Sequence, residues 1–224
     1  MPQNSLDVAT SLVLTNAIYF KASWLTKFDP DQTADGTFHA ASGVRTVPMM
    51  HKTFETSYAE GDGYQAVALP YLSKDVRMLI LLPAEGQFEK IAGSLNDTFY
   101  QELLSNLSGT TVKLTMPRFS FESENPLKSP LQSLGMTVPF SDTADFSGIS
   151  GKRDLFIDEV YHKAFVAVDE KGTEAAAATA VVMTKSSAPL KVPEVTLDRP
   201  FVFTIYDHPT GEILFLGHLA DPNP

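Results

Sequence analysis

The sequence contains no cysteine. Disulfide staples and thiol chemistry are therefore excluded, and the redox state of the compartment is left open. Tryptophan occurs once, at Trp24. Positive charge is scarce: 17 Lys and Arg stand against 27 Asp and Glu, giving a net charge of −10 and an isoelectric point near 4.9. That balance argues against nucleic acid or an anionic membrane surface as a partner. No apolar run approaches the ~18 residues of a helical membrane span. The opening residues, Met1-Pro2-Gln3-Asn4-Ser5, have neither a basic region nor an apolar core, so no signal peptide is visible.

Motifs of catalysis are equally scarce. Gly148-Ile149-Ser150-Gly151-Lys152 falls short of a nucleophile elbow, because Lys152 stands where glycine is required. The same Gly-Lys lacks a following Ser or Thr and is no phosphate loop. Turn and cap roles suit this cluster better. The five histidines (His39, His51, His162, His208, His218) show no metal-ligand spacing. Neither a metal nor a cofactor is expected. Asn96-Asp97-Thr98 and Asn106-Leu107-Ser108 match the glycosylation triplet, a pattern too short to carry weight alone.

What is present is ordinary globular material. Of 224 residues, 43% are hydrophobic and 20% charged, enough to bury a real core. Residues 12–20 are mostly apolar and predict a central strand buried on both faces. Asp29 to Gly36 is turn-rich. Phe38, Val44 to Met50, Tyr64 to Tyr71 and Arg77 to Pro83 read as strands. Phe88, Ile91, Leu95, Phe99 and Leu103 have helical spacing, interrupted at Gly93-Ser94. Val112 to Phe121 alternates as a strand. Ser129-Pro130 to Gly135 has the cap, first-turn proline and terminal glycine of a short helix. Leu155 to Val168 predicts a long strand, within which His162 reads as a hydrogen-bonded core residue. Phe201 to Tyr206 and Ile213 to Leu216 flank a hairpin turn at Asp207-His208-Pro209-Thr210-Gly211. No repeat or linker is visible, so one α+β domain is expected.

The segment from Glu170 to Met183 reads two ways. Ala175 to Ala178 are strong helix formers, with acidic Glu174 before them. Thr173, Thr179, Val181 and Val182 are β-branched and favour a strand. Gly172 in front supplies a joint with few backbone restrictions. As a strand, Glu174 faces water while Thr173, Ala175, Ala177, Thr179 and Val181 share a small, smooth opposite face. As a helix, the alanines pack it on the surface. Local preference that settles on neither state marks a candidate moving part. Beyond it, Thr184 to Val192 is polar, lacks apolar periodicity and reads as an exposed loop.

Three stretches resemble one family. Glu170-Lys171-Gly172-Thr173-Glu174-Ala175-Ala176-Ala177-Ala178-Thr179-Ala180 resembles the proximal hinge of an inhibitory serpin's reactive-centre loop. Val195-Thr196-Leu197-Asp198-Arg199-Pro200-Phe201-Val202-Phe203-Thr204-Ile205 resembles the signature that follows the loop. Leu14 to Trp24 resembles the family's third strand of sheet A.

The resemblance implies a serpin-like α+β fold: mixed β-sheets, packed helices and an exposed reactive-centre loop. It implies one serpin domain over residues 1–224, with the loop at about 170–194, the C-terminal hairpin at 200–219, and the family's N-terminal helical part missing. The implied activity is suicide inhibition of a serine protease, with no catalysis by this chain. Asn16 and His162 match the pair beneath the opening of sheet A. Trp24 matches the aromatic where the loop enters, and Glu170 with Arg118 an acid–base pair tying the hinge to a neighbouring strand. The plain alternative for that pair is a solvated ion pair worth ~0–1 kcal/mol. The family usually places its scissile bond seventeen residues in, counting Glu170 as the first, so the reactive bond is expected at Ser186–Ser187. An elastase-like or subtilisin-like target suits Ser186. A cut after Lys185 would suit a trypsin-like one. The complete protein is expected to be a monomer, extracellular as the family generally is, with a cytoplasmic location left open. Non-inhibitory binding or chaperone members, or an inactive truncated fragment, are the alternatives. Non-inhibitory members often carry bulky or charged residues, or proline, in the hinge, so the first of these is opposed by the clean Gly172-Thr173 and Ala175 to Ala178.

Overall fold

The structure, a computed structural model, describes residues 12–173 and 192–222. In chain order the strands are β1 (Leu12–Tyr19), β2 (Ala22–Ser23), β3 (Ala34–Ala40), β4 (Gly43–Gly61), β5 (Tyr64–Pro70), β6 (Val76–Pro83), β7 (Ser108–Pro117), β8 (Phe119–Pro126), β9 (Ile157–Asp169), β10 (Gly172–Thr173), β11 (Glu194–Thr196), β12 (Phe201–Asp207) and β13 (Ile213–Leu219). The helices are α1 (Phe88–Gly93), α2 (Asp97–Asn106), α3 (Lys128–Ser133) and α4 (Ser147–Ser150), with single 3₁₀ turns at Pro30–Gln32 and Val138–Phe140. The described residues fall into two compact units: those of Met1–Phe20 with Phe121–Val166, and those of Lys21–Ser120 with Ala167–Pro224.

The second unit is built on the sheet β11-β7-β4-β5-β6-β12-β13. Within it, β6 is antiparallel to both β5 and β12 and buried from Met78 onward. Alternation puts Leu79 and Leu81 on one face with Ala66, Ala68 and Val202, where Ile91, Tyr100 and Leu103 cover them. Each Leu, Ile or Val among them contributes about 1.5–3 kcal/mol when fully buried. The helical period breaks at Ser94, and α2 restarts under its own cap, Asn96 Oδ1 accepting from the Phe99 N–H at 2.9 Å. The β12–β13 hairpin closes through Asp207, whose Oδ2 accepts from the Thr210 N–H and hydroxyl at 3.1 and 2.5 Å.

Two strand readings were too short. The strand predicted over Val44 to Met50 is the opening of the 19-residue β4. It continues because its partner changes, from β3 to β7 and then to β5. The turn-rich Asp29 to Gly36 narrows to Pro30–Gln32, since β3 already starts at Ala34.

In the first unit β1 lies parallel to β9, with Val13 opposite Glu159 and Tyr19 opposite Phe165. The strand is present as predicted, but its burial on both faces is not. Leu14 is 42% exposed and Tyr19 53%. Among the described residues β1 hydrogen-bonds to β9 alone. Apolar composition makes a strand able to line a core; burial also requires a covering layer. The Ser129 cap is likewise corrected: α3 starts at Lys128, whose N–H is met by Glu159 Oε1 at 3.1 Å. A carboxylate from β9 does the capping, and Ser129 sits inside the first turn.

Candidate hinge site

The second unit also holds the end of β9, where the chain turns through Glu170-Lys171 into β10. Asp169 makes the turn, its Oδ1 accepting from the N–H groups of Lys171 and Gly172 at 2.7 and 3.1 Å. Gly172 and Thr173 then run antiparallel to Asp169 and Val168 on one side and to Ser23 and Ala22 on the other. This close fit demands glycine. Gly172 has φ +149°, and a Cβ there would lie 2.6 Å from Ser23 Cα and 2.9 Å from Trp24 N, and nearer still to the Ala22 carbonyl oxygen.

Thr173 is 0% exposed. Its hydroxyl lies 2.8 Å from that of Tyr71, which is itself buried. Burial pushes the Tyr71 phenol well above its ordinary range, partly offset by the Thr173 bond, so it stays neutral. The Tyr71 ring stacks on Trp24 with centroids 4.5 Å apart. Trp24 in turn fixes the turn: its Nε1–H donates to the Asp169 carbonyl at 2.9 Å and its backbone N–H to that of Lys171 at 3.0 Å. The Phe28 N–H takes the Glu170 carbonyl at 2.9 Å.

Glu170 is 5% exposed. Its Oε1 accepts from Arg118 Nε at 2.6 Å and from the Thr33 hydroxyl at 2.5 Å, and Arg118 Nη2 completes the ion pair. Burial opposes ionisation, but the Arg118 and Thr33 bonds outweigh it and hold the carboxyl below its usual range. The pair is thus not a solvated one, because its acidic member is out of water. Removing Arg118 would leave a buried carboxylate short of donors.

Of the residues singled out from sequence, Trp24, Arg118, Glu170, Gly172 and Thr173 meet here. Asn16 and His162 face each other as backbone partners in the β1–β9 pairing of the other unit, Asn16 exposed and His162 half-buried. His162 is therefore less buried than a core histidine would be. Glu174, Ala175, Ala176, Ala177, Ala178, Lys185, Ser186 and Ser187 lie outside the described residues. Sequence reasoning missed Tyr71, Thr33 and Asp169. No motif marks them; Tyr71 was visible only as the end of a strand, and Thr33 only as part of a turn-rich stretch.

The chain is anchored again at β11, parallel to β7, with Val195 fully buried opposite Leu114. Lys113 N–H donates to the Pro193 carbonyl at 2.9 Å and Leu197 N–H to that of Thr115 at 2.8 Å. The chain between Thr173 and Val192 is thus tethered at both ends to one sheet-built unit. Among the described residues no group of three or more His, Asp or Glu could hold a metal. Elsewhere in this unit, a cavity of about 290 Å³ opens beside α2, lined by Leu79, Leu81, Tyr100, Leu103, Val202 and Ile213. Burial pushes the Tyr100 phenol in its wall up to about 12.

A family model described as serpin (serine protease inhibitor) matches residues 1–222. An uncharacterised serpin-like protein of Thermococcus kodakarensis is 46% identical over 98% of this chain and 52% of its own length. The leukocyte elastase inhibitor of Bos taurus is 41% identical over 97% of this chain and 60% of its own length. Human thyroxine-binding globulin, solved in complex with thyroxine, superposes with a TM-score of 0.87 at 32% identity, covering 98% of this chain and 59% of that one. The chain spans about half the length of the curated relatives it matches. The fold is the serpin fold, with mixed sheets and few helices, and the chain belongs to the serpin family of serine protease inhibitors.

Proposed function

We propose that the full-length protein inhibits a serine protease by offering the loop after Thr173 as a substrate and trapping the acyl-enzyme. The observation that carries this reading is the seating of Gly172 and Thr173 between β9 and β2, with Thr173 already buried. A severed loop joined to such a start can extend it, residue by residue, as a new strand along β9. β1 and β9 hydrogen-bond directly, so that extension requires their pairing to open. Asn16 and His162 lie where it would part. The inserted strand gains backbone hydrogen bonds and buries its smooth face of Thr173, Ala175 and Ala177. The attached protease is carried along, and its oxyanion hole is deformed. Deacylation needs donors held in place, so distortion arrests it. The chain supplies the trap and no catalyst, as serpins generally do, and acts outside the cell as a monomer.

The reactive bond in this reading is Ser186–Ser187. The small Ser186 suits an elastase-like or subtilisin-like target, a class also favoured by the similarity to a leukocyte elastase inhibitor. Mass spectrometry of the peptide released from the full-length protein by such a protease is expected to begin at Ser187. Release beginning at Ser186 would move the cut to Lys185 and the target to trypsin-like enzymes. A second reading, a non-inhibitory carrier, draws on the apolar cavity beside α2 and on the similarity to thyroxine-binding globulin. Cleavage of the loop with no trapped protease would favour it.

A further inference from the structure

We propose that Asn106 is an acceptor for an N-linked oligosaccharide on the folded protein, and that Asn96 is not. Both begin an Asn-X-Ser/Thr triplet, and both are exposed. The triplets sit at opposite ends of α2, and the two ends differ in what they leave free. At the first end the carboxamide is in use. Asn96 caps α2, its Oδ1 accepting from the Phe99 N–H at 2.9 Å, and Asp97 and Thr98 already lie in the first helical turn. To hold Asn96 beside the Thr98 hydroxyl, a transferase must break that cap and unwind that turn.

At the second end little has to break. Asn106 is the last residue of α2, and among the described residues its carboxamide has no hydrogen-bond partner. Leu107 has already left the helix, with φ −64° and ψ 123°, and packs its side chain against the core under α2. With Leu107 turned inward, Asn106 and Ser108 stay exposed on either side of it. The Ser108 hydroxyl is held only by a long bond of 3.4 Å to the Tyr58 carbonyl. Beside it the surface is open: a Cβ at Gly109 would meet no atom within 4 Å. An amide nitrogen is a poor nucleophile, so the carboxamide must be free to reorient in a transferase's site. There Asn106 Nδ2 attacks the anomeric carbon of a lipid-diphosphate-linked oligosaccharide. The N–C bond forms as the C–O bond to the diphosphate breaks, the lipid diphosphate leaves, and one Nδ2 proton passes to the transferase. Ser108 and Pro117, the two ends of β7, are ~30 Å apart along the strand. The glycan therefore attaches at the end remote from Arg118 and the hinge, and the inference does not depend on the inhibitory reading.

The test mixes the folded full-length protein with a purified single-subunit oligosaccharyltransferase and its lipid-linked oligosaccharide. Peptide mass mapping after enzymatic deglycosylation reads each modified site as an Asn-to-Asp conversion. Asn106 is expected to be modified about five- to thirtyfold faster than Asn96, the factor that loss of one helix cap implies. Denaturing the protein beforehand should erase most of that preference, because it frees both triplets. Ser108→Ala should abolish modification at Asn106, while Asn96→Asp, which keeps a capping oxygen, should leave it unchanged. An unmodified Asn106, or equal or reversed rates at the two sites of the folded protein, would overturn the inference. So would a preference that survives denaturation undiminished, since it would then lie in the triplets and not in the ends of α2.

Discussion

In a full-length protein, Thr173→Arg is expected to abolish the protease complex, whereas Glu174→Arg leaves it nearly intact. Thr173 is wholly buried, its hydroxyl on that of Tyr71 and the Tyr71 ring on Trp24. A guanidinium there meets a neutral phenol and an indole-backed wall, with no described carboxylate bonded to that hydroxyl pair. Burying an unpaired charge costs several kcal/mol even after relaxation. Strand extension competes with deacylation, and each ~1.4 kcal/mol added to its barrier slows it tenfold. The competition passes to water: the loop is cut, the protease leaves active, and no complex accumulates. Alternation along a strand sends residue 174 to the opposite face from Thr173, so an arginine there stays solvated. If both variants lose the complex equally, the strand register is wrong, and the helical reading of the alanine run returns.

Residues 1–224 expressed alone are expected to self-associate and to form no protease complex. The cause is visible on two strands. β1 exposes Leu14, Ile18 and Tyr19 and pairs only with β9 among the described residues. Among the described residues β13 is an edge strand of its sheet, exposing Ile213, Leu214 and Leu216. Unpaired strand edges with apolar side chains template pairing between molecules. Size-exclusion chromatography should therefore find oligomers or aggregate. A monodisperse monomer with one sharp unfolding transition would show that these strands need no further cover.

What the sequence revealed follows from how local each signal is. The β12–β13 hairpin and the break between α1 and α2 were legible because Asp207 to Gly211 and Gly93-Ser94 act on their own neighbours. The length of β4 was not, since it depends on three successive partners from distant parts of the chain. The same holds for the exposure of β1, which depends on what covers it. At the hinge, Trp24, Glu170, Gly172 and Thr173 could be named because they fall within family motifs, and Arg118 because the resemblance pairs it with Glu170. Tyr71 and Thr33 carry no motif. Their roles arise from single hydroxyls whose partners lie 102 and 137 residues away in sequence.

The proposed covalent trap is tested most directly by a denaturing gel of the full-length protein mixed with an elastase-like serine protease. The trap predicts a band that survives denaturation at the summed mass of protease and inhibitor less the peptide released from Ser187 onward, with loss of protease activity in step with its growth. A loop cleaved to completion beside fully active protease, with no such band at any ratio of the two, would contradict it.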